Sequence, residues 1–464
     1  MIGFNNIKNV YFLGIGGIGM SALARYFRHI GLRVCGYDRT PTALTAELET
    51  EGMAIHYHDM GEDVSHFAPD VLTTLVVVTP AIPQDFGEWQ WFLKNGFKIQ
   101  KRSEVLGMIC NRQKCLAVAG THGKTTISTM AAVLLKNSAT GCGAFLGGIS
   151  INFNSNLILP GEGDQWLVTE ADEYDRSFLR LTPDIAVITY MDADHLDIYG
   201  QHDALRTSFL QFASQIKPGG TLIVRKELES FFNLPGIRVF TYSLTGEADF
   251  HAVSLYLNPD TQCYRYRIQT PSGLTPPVEM RYPGILNVEN GVAAAAAASL
   301  AGVSPDEIAR GLEIYAGVKR RFEIRYRGKK NLYIDDYAHH PAELKAFISS
   351  VRLLFPAQKI TGIFQPHLYT RTRDFAEEFA RSLDLLDIAF LLPIYPAREL
   401  PIEGVSSELI LQFMTLADKR LIHKSDIHRL LWQEKPEILL TMGAGDIDLL
   451  AEEIIDVMKD EETD

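Results

Sequence analysis

Gly120-Thr121-His122-Gly123-Lys124-Thr125-Thr126 follow the apolar run Leu116–Ala119. A strand, a tight loop and a helix start in that order aim backbone N–H groups and the positive end of a helix dipole at an anion. The ammonium of Lys124 is then placed for outer phosphates and the hydroxyl of Thr125 for Mg²⁺. Residues 120–126 are therefore expected to bind a nucleoside triphosphate. The loop is a compressed form, because the usual spacing wants a glycine at position 118 and the chain has Val118 there.

Other polar groups stand at the ends of apolar runs, where parallel sheets keep their ligands. Glu170 comes directly off the run Gln165–Glu170 and suits Mg²⁺, whereas Asp172 and Glu173 read equally well as solvated acids. His195, after the run Ile185–Tyr190, is placed for a second cation or the γ-phosphate. Asn287 opens an Ala-rich helix, either as a cap or as a contact to a nucleotide. Asp335-Asp336-Tyr337-Ala338-His339-His340-Pro341 is a polar cluster too dense to read as structural. Arg320, Arg321, Arg371 and Arg373 add guanidiniums that grip carboxylate or phosphate. Near the N-terminus, Gly14-Ile15-Gly16-Gly17-Ile18-Gly19 fits the dinucleotide fingerprint, with Asp38 at the end of the next strand where a ribose-binding acid belongs. The physics behind that fingerprint is close approach of a diphosphate to a helix N-terminus, which a nucleotide sugar satisfies as well as NAD.

These groups need a frame that alternates strands with helices. Val10–Leu13, Gly31–Asp38 and Leu75–Val78 read as strands of one block, the last running into Thr79-Pro80-Ala81-Ile82-Pro83. A second block opens with the phosphate loop, carries an antiparallel patch over 250–283 and includes a core helix over Val292–Leu300. A third block has strands at Leu332–Asp336, Lys359–Phe364, Ile388–Leu392 and Ile438–Met442. The length of 464 residues and 46% apolar share allow three domains with full cores. A net charge of −13 argues against a nucleic-acid partner. No apolar run reaches the roughly 18 residues of a membrane span, and the N-terminus lacks a signal-peptide pattern. Five cysteines with no C-x-x-C pair suit the reduced thiols of a cytoplasmic protein.

Taken in order, GIGGIGMSALA at 14–24, GTHGKTT at 120–126, EADE at 170–173, DADHLD at 192–197, LNVEN at 286–290, RRFE at 320–323, DDYAHHP at 335–341 and FQPHLYTRT at 364–372 resemble the Mur ligase family over nearly the whole chain. The nearest branch is the one that adds alanine, and the murein-peptide-ligating branch is the neighbouring alternative. The resemblance implies three α/β domains. Residues 1–108 would form a Rossmann-like domain that binds the UDP-sugar through Gly16, Gly17, Ile18, Gly19, Asp38, Ala81 and Ile82. Residues 109–317 would form a P-loop ATPase-like domain with a mostly parallel sheet, binding ATP through residues 120–126. Residues 318–464 would form a Rossmann-like ligase domain that closes over the cleft.

By the same resemblance, Asn287, Arg321 and Asp336 would contact ATP, and Thr125, Glu170 and His195 would hold Mg²⁺. Lys124, His195, His339 and Arg371 would be catalytic. The implied reaction joins L-alanine to the lactyl carboxylate of UDP-N-acetylmuramate through an acyl phosphate, with ADP and phosphate as products, in peptidoglycan precursor synthesis. The base for the alanine amine would be His339 or a nearby acid. The assembly would be a monomer or homodimer. The family pattern also expects an arginine where this chain has Leu368. If that arginine clamps the alanine carboxylate, another group must do so here. Two readings of other classes compete: an NAD-dependent oxidoreductase, which leaves residues 120–126 unexplained, and a nucleotide-driven switch without ligation.

Overall fold

The computed structural model describes residues 6–68, 70–163, 165–192, 202–259, 261–397 and 399–460. It divides into two compact units. One takes in most of the chain up to Ala316, and the other holds Gly317–Asp464 with two short earlier pieces, Pro259–Gln262 and Tyr282–Asn287.

The first unit contains two sheets. β1 (Asn9–Leu13), β2 (Arg33–Tyr37), β3 (Ala54–His56), β4 (Thr74–Val78) and β5 (Lys98–Lys101) form an all-parallel sheet in the order 3-2-1-4-5. β1 and β4 are almost wholly buried, as strands covered on both faces must be, which is why they read as unbroken apolar runs. β3 and β5 were not foreseen: each is short, lies at a sheet edge and is only partly covered, so neither carries an apolar run. The strand order reverses between β1 and β4, and an α/β sheet has its ligand crevice at such a switch point.

The second sheet is built from β6 (Lys114–Ala119), β7 (Cys142–Ser150), β8 (Ser155–Ile158), β9 (Trp166–Glu170), β10 (Ile185–Ile188), β11 (Thr221–Arg225), β12 (Arg238–Ser243), β13 (Phe250–Leu257), β14 (Tyr264–Thr270), β15 (Gly273–Leu274) and β16 (Val278–Met280). Its path is 15-14-13-12-11-10-6-9-7-8, with β16 beside β14. The run from β7 to β13 is parallel, and β8 at one end and β14, β15 and β16 at the other are antiparallel, as expected for 250–283. The helix Ile285–Leu300 carries its alanines into the core.

The second unit holds β17 (Glu323–Arg327), β18 (Leu332–Asp336), β19 (Ile360–Phe364), β20 (Ile388–Leu391), β21 (Lys419–Leu421) and β22 (Ile438–Met442), ordered 17-18-22-19-20-21. Only β17 is antiparallel. Among the described residues, no helix is long and apolar enough to cross a membrane.

Candidate active site

β6 lies inside its sheet between β9 and β10, with Val118 opposite Glu170 and Ala119 opposite Ile188. The loop that leaves β6 therefore meets Glu170 on one side and Thr189–Asp192 on the other. Gly120 and Gly123 have φ of +131° and +78°, conformations open to glycine, and a Cβ at 120 would lie 2.0 Å from Thr189 Oγ1. Thr189 Oγ1 donates to the His122 carbonyl at 2.6 Å, and the Asp192 amide donates to Thr121 Oγ1 at 3.2 Å. Gly123 caps the helix Lys124–Lys136 without a side-chain bond, so the first amides of that helix face the loop. Thr126 is buried behind them.

Lys124 Nζ donates to the Gly120 carbonyl at 2.7 Å and pairs with Glu173 Oε1 at 2.8 Å. Burial by itself would lower the lysine, but the carboxylates of Glu173, Asp172 and Glu170 outweigh it and hold the ammonium above its usual range. Glu173 is completely buried, and burial raises its carboxyl against the pull of Lys124. The reading of Glu173 as a solvated acid is thus corrected, since a 3-10 turn beginning at Tyr174 folds it inward onto the lysine. Its place three residues beyond Glu170 was the signal available in the sequence.

Thr125 Oγ1 donates to Glu170 Oε2 at 2.7 Å. Gly147 on β7 makes room for this carboxylate, because a Cβ there would lie 1.9 Å from Glu170 Oε2. A hydroxyl and a carboxylate fit Mg²⁺, which takes one or two protein oxygens and fills its octahedron with phosphate and water. No cluster of three or more metal-ligating His, Cys, Asp or Glu side chains occurs among the described residues. His195 lies outside the described residues.

Beside the loop, Tyr190 Oη donates to Glu289 Oε2 at 3.0 Å, and Arg225 Nε donates to Glu289 Oε1 at 2.9 Å. The His122 ring meets Tyr190 edge-on at 5.7 Å and approaches Asp192 at 3.4 Å. This partly buried network was invisible in the sequence because its members come from four separate segments.

In the first sheet, Gly16 N donates to Asp38 Oδ2 at 2.7 Å, so Asp38 ties down the glycine turn itself. Gly17 caps the helix Ile18–His29, and Ile18 and Gly19 form its first turn. Ile82 packs near Gly14 at the β1–β4 switch point, where a Cβ on Gly14 would meet Thr79 Cγ2 at 2.5 Å. Ala81 beside it is exposed.

In the second unit the polar cluster after β18 divides its labour. Asp335 pairs with Arg320 at 3.2 Å and accepts from Thr441 Oγ1 at 2.6 Å, and Arg320 also donates to the Gly443 carbonyl at 2.6 Å. His340 caps the helix Pro341–Leu354. These three residues hold the fold, contrary to a functional reading of the whole cluster. Asp336 accepts the amides of Phe322 and Ala338 at 2.7 and 2.8 Å, and burial pushes its carboxyl up to about 6 against the pull of Arg321. Arg321 lies 5.2 Å from the Tyr337 ring, and that ring meets His339 edge-on at 5.3 Å.

His339 Nδ1 lies 2.9 Å from the Tyr337 carbonyl, so Nδ1 carries the proton and Nε2 the lone pair. Burial lowers the His339 pKa, Glu343 opposes this, and Arg371 and Arg321 lower it further. Arg371 Nη1 is buried without a hydrogen-bond partner among the described residues. Leu368 caps the short helix Tyr369–Asp374 that carries Arg371. Asn287 Nδ2 donates to the Pro283 carbonyl at 2.6 Å from within the helix's first turn, a geometry that excludes the N-cap reading.

The sequence matches three family models along its length: "Mur ligase family, catalytic domain" over residues 9–114, "Mur ligase middle domain" over 118–298, and "Mur ligase, glutamate ligase domain" over 320–445. The UDP-N-acetylmuramate–L-alanine ligase of Phocaeicola vulgatus is 50% identical over 446 residues, 96% of each chain. The protein of the same name from Parabacteroides distasonis is 49% identical over 459 residues, 98% of each chain. The solved UDP-N-acetylmuramate–alanine ligase of Thermotoga maritima superposes with a TM-score of 0.81 at 24% identity, covering 98% of this chain and 100% of that one. A murein peptide ligase from Psychrobacter arcticus superposes with a TM-score of 0.72 at 22% identity, covering 97% and 98%. At these identities the two solved structures speak for the fold.

Proposed function

The chain belongs to the Mur ligase family, and we propose that it joins L-alanine to the lactyl carboxylate of UDP-N-acetylmuramate, converting ATP to ADP and phosphate, in peptidoglycan precursor synthesis. The observation that carries this reading is the conjunction of Lys124 with the Thr125–Glu170 pair at the head of one helix. That arrangement serves phosphoryl transfer, and a hydride-transfer site has no use for it. The name shared by the half-identical relatives favours alanine over a preformed peptide.

A carboxylate is a poor electrophile and must first be activated. Its oxygen attacks the γ-phosphorus of ATP, the bond to the β-phosphate oxygen breaks, and an acyl phosphate and ADP result. The loop amides and Lys124 hold the phosphates in line and offset their charge. Thr125 and Glu170 would hold Mg²⁺, which supplies further neutralisation of the phosphate oxygens, and His195 is assigned to a second cation. The neutral amine of alanine then attacks the acyl carbon, and phosphate leaves from the tetrahedral intermediate. His339, neutral and with its Nε2 lone pair available, is assigned as acceptor of the amine proton. Arg371 is assigned to the alanine carboxylate, and Asn287, Arg321 and Asp336 to the nucleotide.

The division of labour proposed is sugar nucleotide for 1–108, ATP for 109–317 and ligation for 318–464, with the reaction placed in the cytoplasm. The test is phosphate release with UDP-N-acetylmuramate while ATP and each of several amino acids are omitted in turn. Release that requires ATP, the sugar nucleotide and L-alanine together is expected. Release without an amine acceptor would support a nucleotide-driven switch and overturn the reading.

A further inference from the structure

We propose that Asn156 is a positioning residue for the reaction: it pins the helix that presents the glycine turn to the strand hairpin that flanks Glu170. The assignment rests on the ligase reading, in which a sugar nucleotide held at the first sheet must meet the γ-phosphate of ATP held at the second.

Asn156 lies in β8 and is completely buried. Its Nδ2 donates to the Ile18 carbonyl at 2.5 Å and to Ser21 Oγ at 2.9 Å, both at the N-terminal end of the helix Ile18–His29. Its Oδ1 accepts from Arg25 Nη1, one turn further along, at 2.8 Å. Chemistry fixes the orientation of the amide, because a guanidinium offers only donors and a carbonyl only acceptors. Arg25 is itself held by the carboxylates of Glu47 and Glu51. One side chain of the second sheet thus closes three hydrogen bonds onto a helix of the first.

β8 pairs antiparallel with β7, and β7 carries the Gly147 that makes room for the Glu170 carboxylate. Glu170 in turn accepts the Thr125 hydroxyl. One arm of the hairpin therefore holds the helix of the glycine turn, and the other flanks the proposed metal site.

Apolar packing by itself does not set this alignment. One core cluster runs from Val10, Phe12 and Phe27 to Ala117, Phe145 and Leu167, so the helix is embedded in apolar side chains of both sheets. The hydrophobic term is non-directional and leaves the helix free to shift along that surface. A hydrogen-bonded amide tolerates only a narrow range of distance and angle. Burying one is costly unless its bonds are made, and a lone buried Asn that specifies register is an attested use of that cost. The register specified here is that of the glycine turn against the phosphate loop. A misplacement of about 1 Å between reacting groups can slow a reaction on the order of 100-fold.

The experiment compares wild type with Asn156→Asp and Ser21→Ala. The readouts are kcat with UDP-N-acetylmuramate, Mg-ATP and L-alanine, the separate calorimetric affinities for UDP-N-acetylmuramate and Mg-ATP, and the melting temperature. Asn156→Asp keeps the size and the Arg25 contact but turns an oxygen toward the Ile18 carbonyl. Its kcat is expected to fall about 10- to 100-fold, with both affinities within about twofold of wild type. Ser21→Ala removes one of the three bonds and is expected to show the same split at smaller amplitude. A wild-type kcat in Asn156→Asp, whatever its melting temperature, overturns the assignment and leaves Asn156 a structural residue. Should the aspartate variant not fold, a wild-type kcat in Ser21→Ala does the same. An affinity for either ligand that falls as far as kcat also overturns it, since Asn156 would then serve one site and not their alignment. A wild-type chain that releases no phosphate with the three substrates would instead overturn the functional reading beneath it.

Discussion

Lys124 and Glu173 form an ion pair, Nζ to Oε1 2.8 Å, in which the carboxylate is completely buried. The cation proposed to bind phosphate is thus pinned by an internal counter-charge. Lys124→Ala is expected to leave sugar-nucleotide binding intact and abolish ADP formation. It should also destabilise the protein by about 3 kcal/mol, because a buried carboxylate loses its partner. Lys124→Ala combined with Glu173→Gln should regain most of that stability and none of the activity. Chemical denaturation of the single and double variants, alongside an ADP assay, checks both halves. Near-normal turnover in Lys124→Ala would remove the lysine from the mechanism.

Gly147→Ala tests the proposed metal site without touching a ligand. Its new Cβ would lie 1.9 Å from Glu170 Oε2 and must push the carboxylate off Thr125. The Mg²⁺ concentration for half-maximal turnover is expected to rise about tenfold, the scale seen when partners that orient metal ligands are lost. An unchanged magnesium titration would show that Glu170 plays no part in holding the ion.

Arg371 is the proposed answer to the question raised by Leu368. The expected arginine is absent, yet Arg371 follows on the next helix with a buried Nη1 that no acceptor among the described residues satisfies. Arg371→Met should raise the KM for L-alanine about tenfold or more while leaving the KM for ATP unchanged, as loss of one charge-assisted carboxylate contact does. Stability should fall little, since a partly buried guanidinium with one buried nitrogen lacking a partner among the described residues is replaced by an apolar chain of similar length. A KM for alanine that does not move would place the carboxylate clamp elsewhere.

The first sheet carries a pH-dependent element of its own. Tyr11 Oη lies 2.7 Å from both Glu88 Oε2 and His56 Nε2, and His56 Nδ1 lies 2.9 Å from the His58 carbonyl. His56 Nδ1 must therefore carry a proton. Tyr11 has one proton for two neighbours, so the pair Glu88–His56 retains one more, on Glu88 if the ring is neutral. Burial lowers His56 and, against the Met60 amide and Tyr11, raises Glu88 to about 7.

A raised carboxyl stabilises the fold fully below its unfolded pKa of 4.5 and loses that contribution as pH climbs to about 7. Glu88→Gln mimics the protonated acid and cannot ionise. It should match wild type near pH 4.5 and exceed it above pH 7 by a margin on the order of 3 kcal/mol. Melting curves across that range check it, and a constant difference between the two proteins would refute the assignment.

Much of this protein could be read from the order of its residues. A strand covered on both faces must be apolar, so β1, β4, β6, β10 and β22 announce themselves, and the groups just past their ends are the ligand-facing ones. The phosphate loop, Glu170 and the glycine turn were legible for that reason. Local chemistry also indicated which groups suit a phosphate or a hard cation. The partners of those groups were decided only in three dimensions. Glu173 reads as one acid among several until the turn at Tyr174 brings it to Lys124. Asp335 and His340 look functional in the chain and prove to be an anchor for Arg320 and a helix cap. Arg102 is part of no motif, and only the fold brings it beside Gly19, in the first turn of a helix that begins 84 positions earlier in the sequence, at Ile18. Charge pairing and close approach depend on distances across elements, and residue order carries no record of those distances until the sheets are stacked.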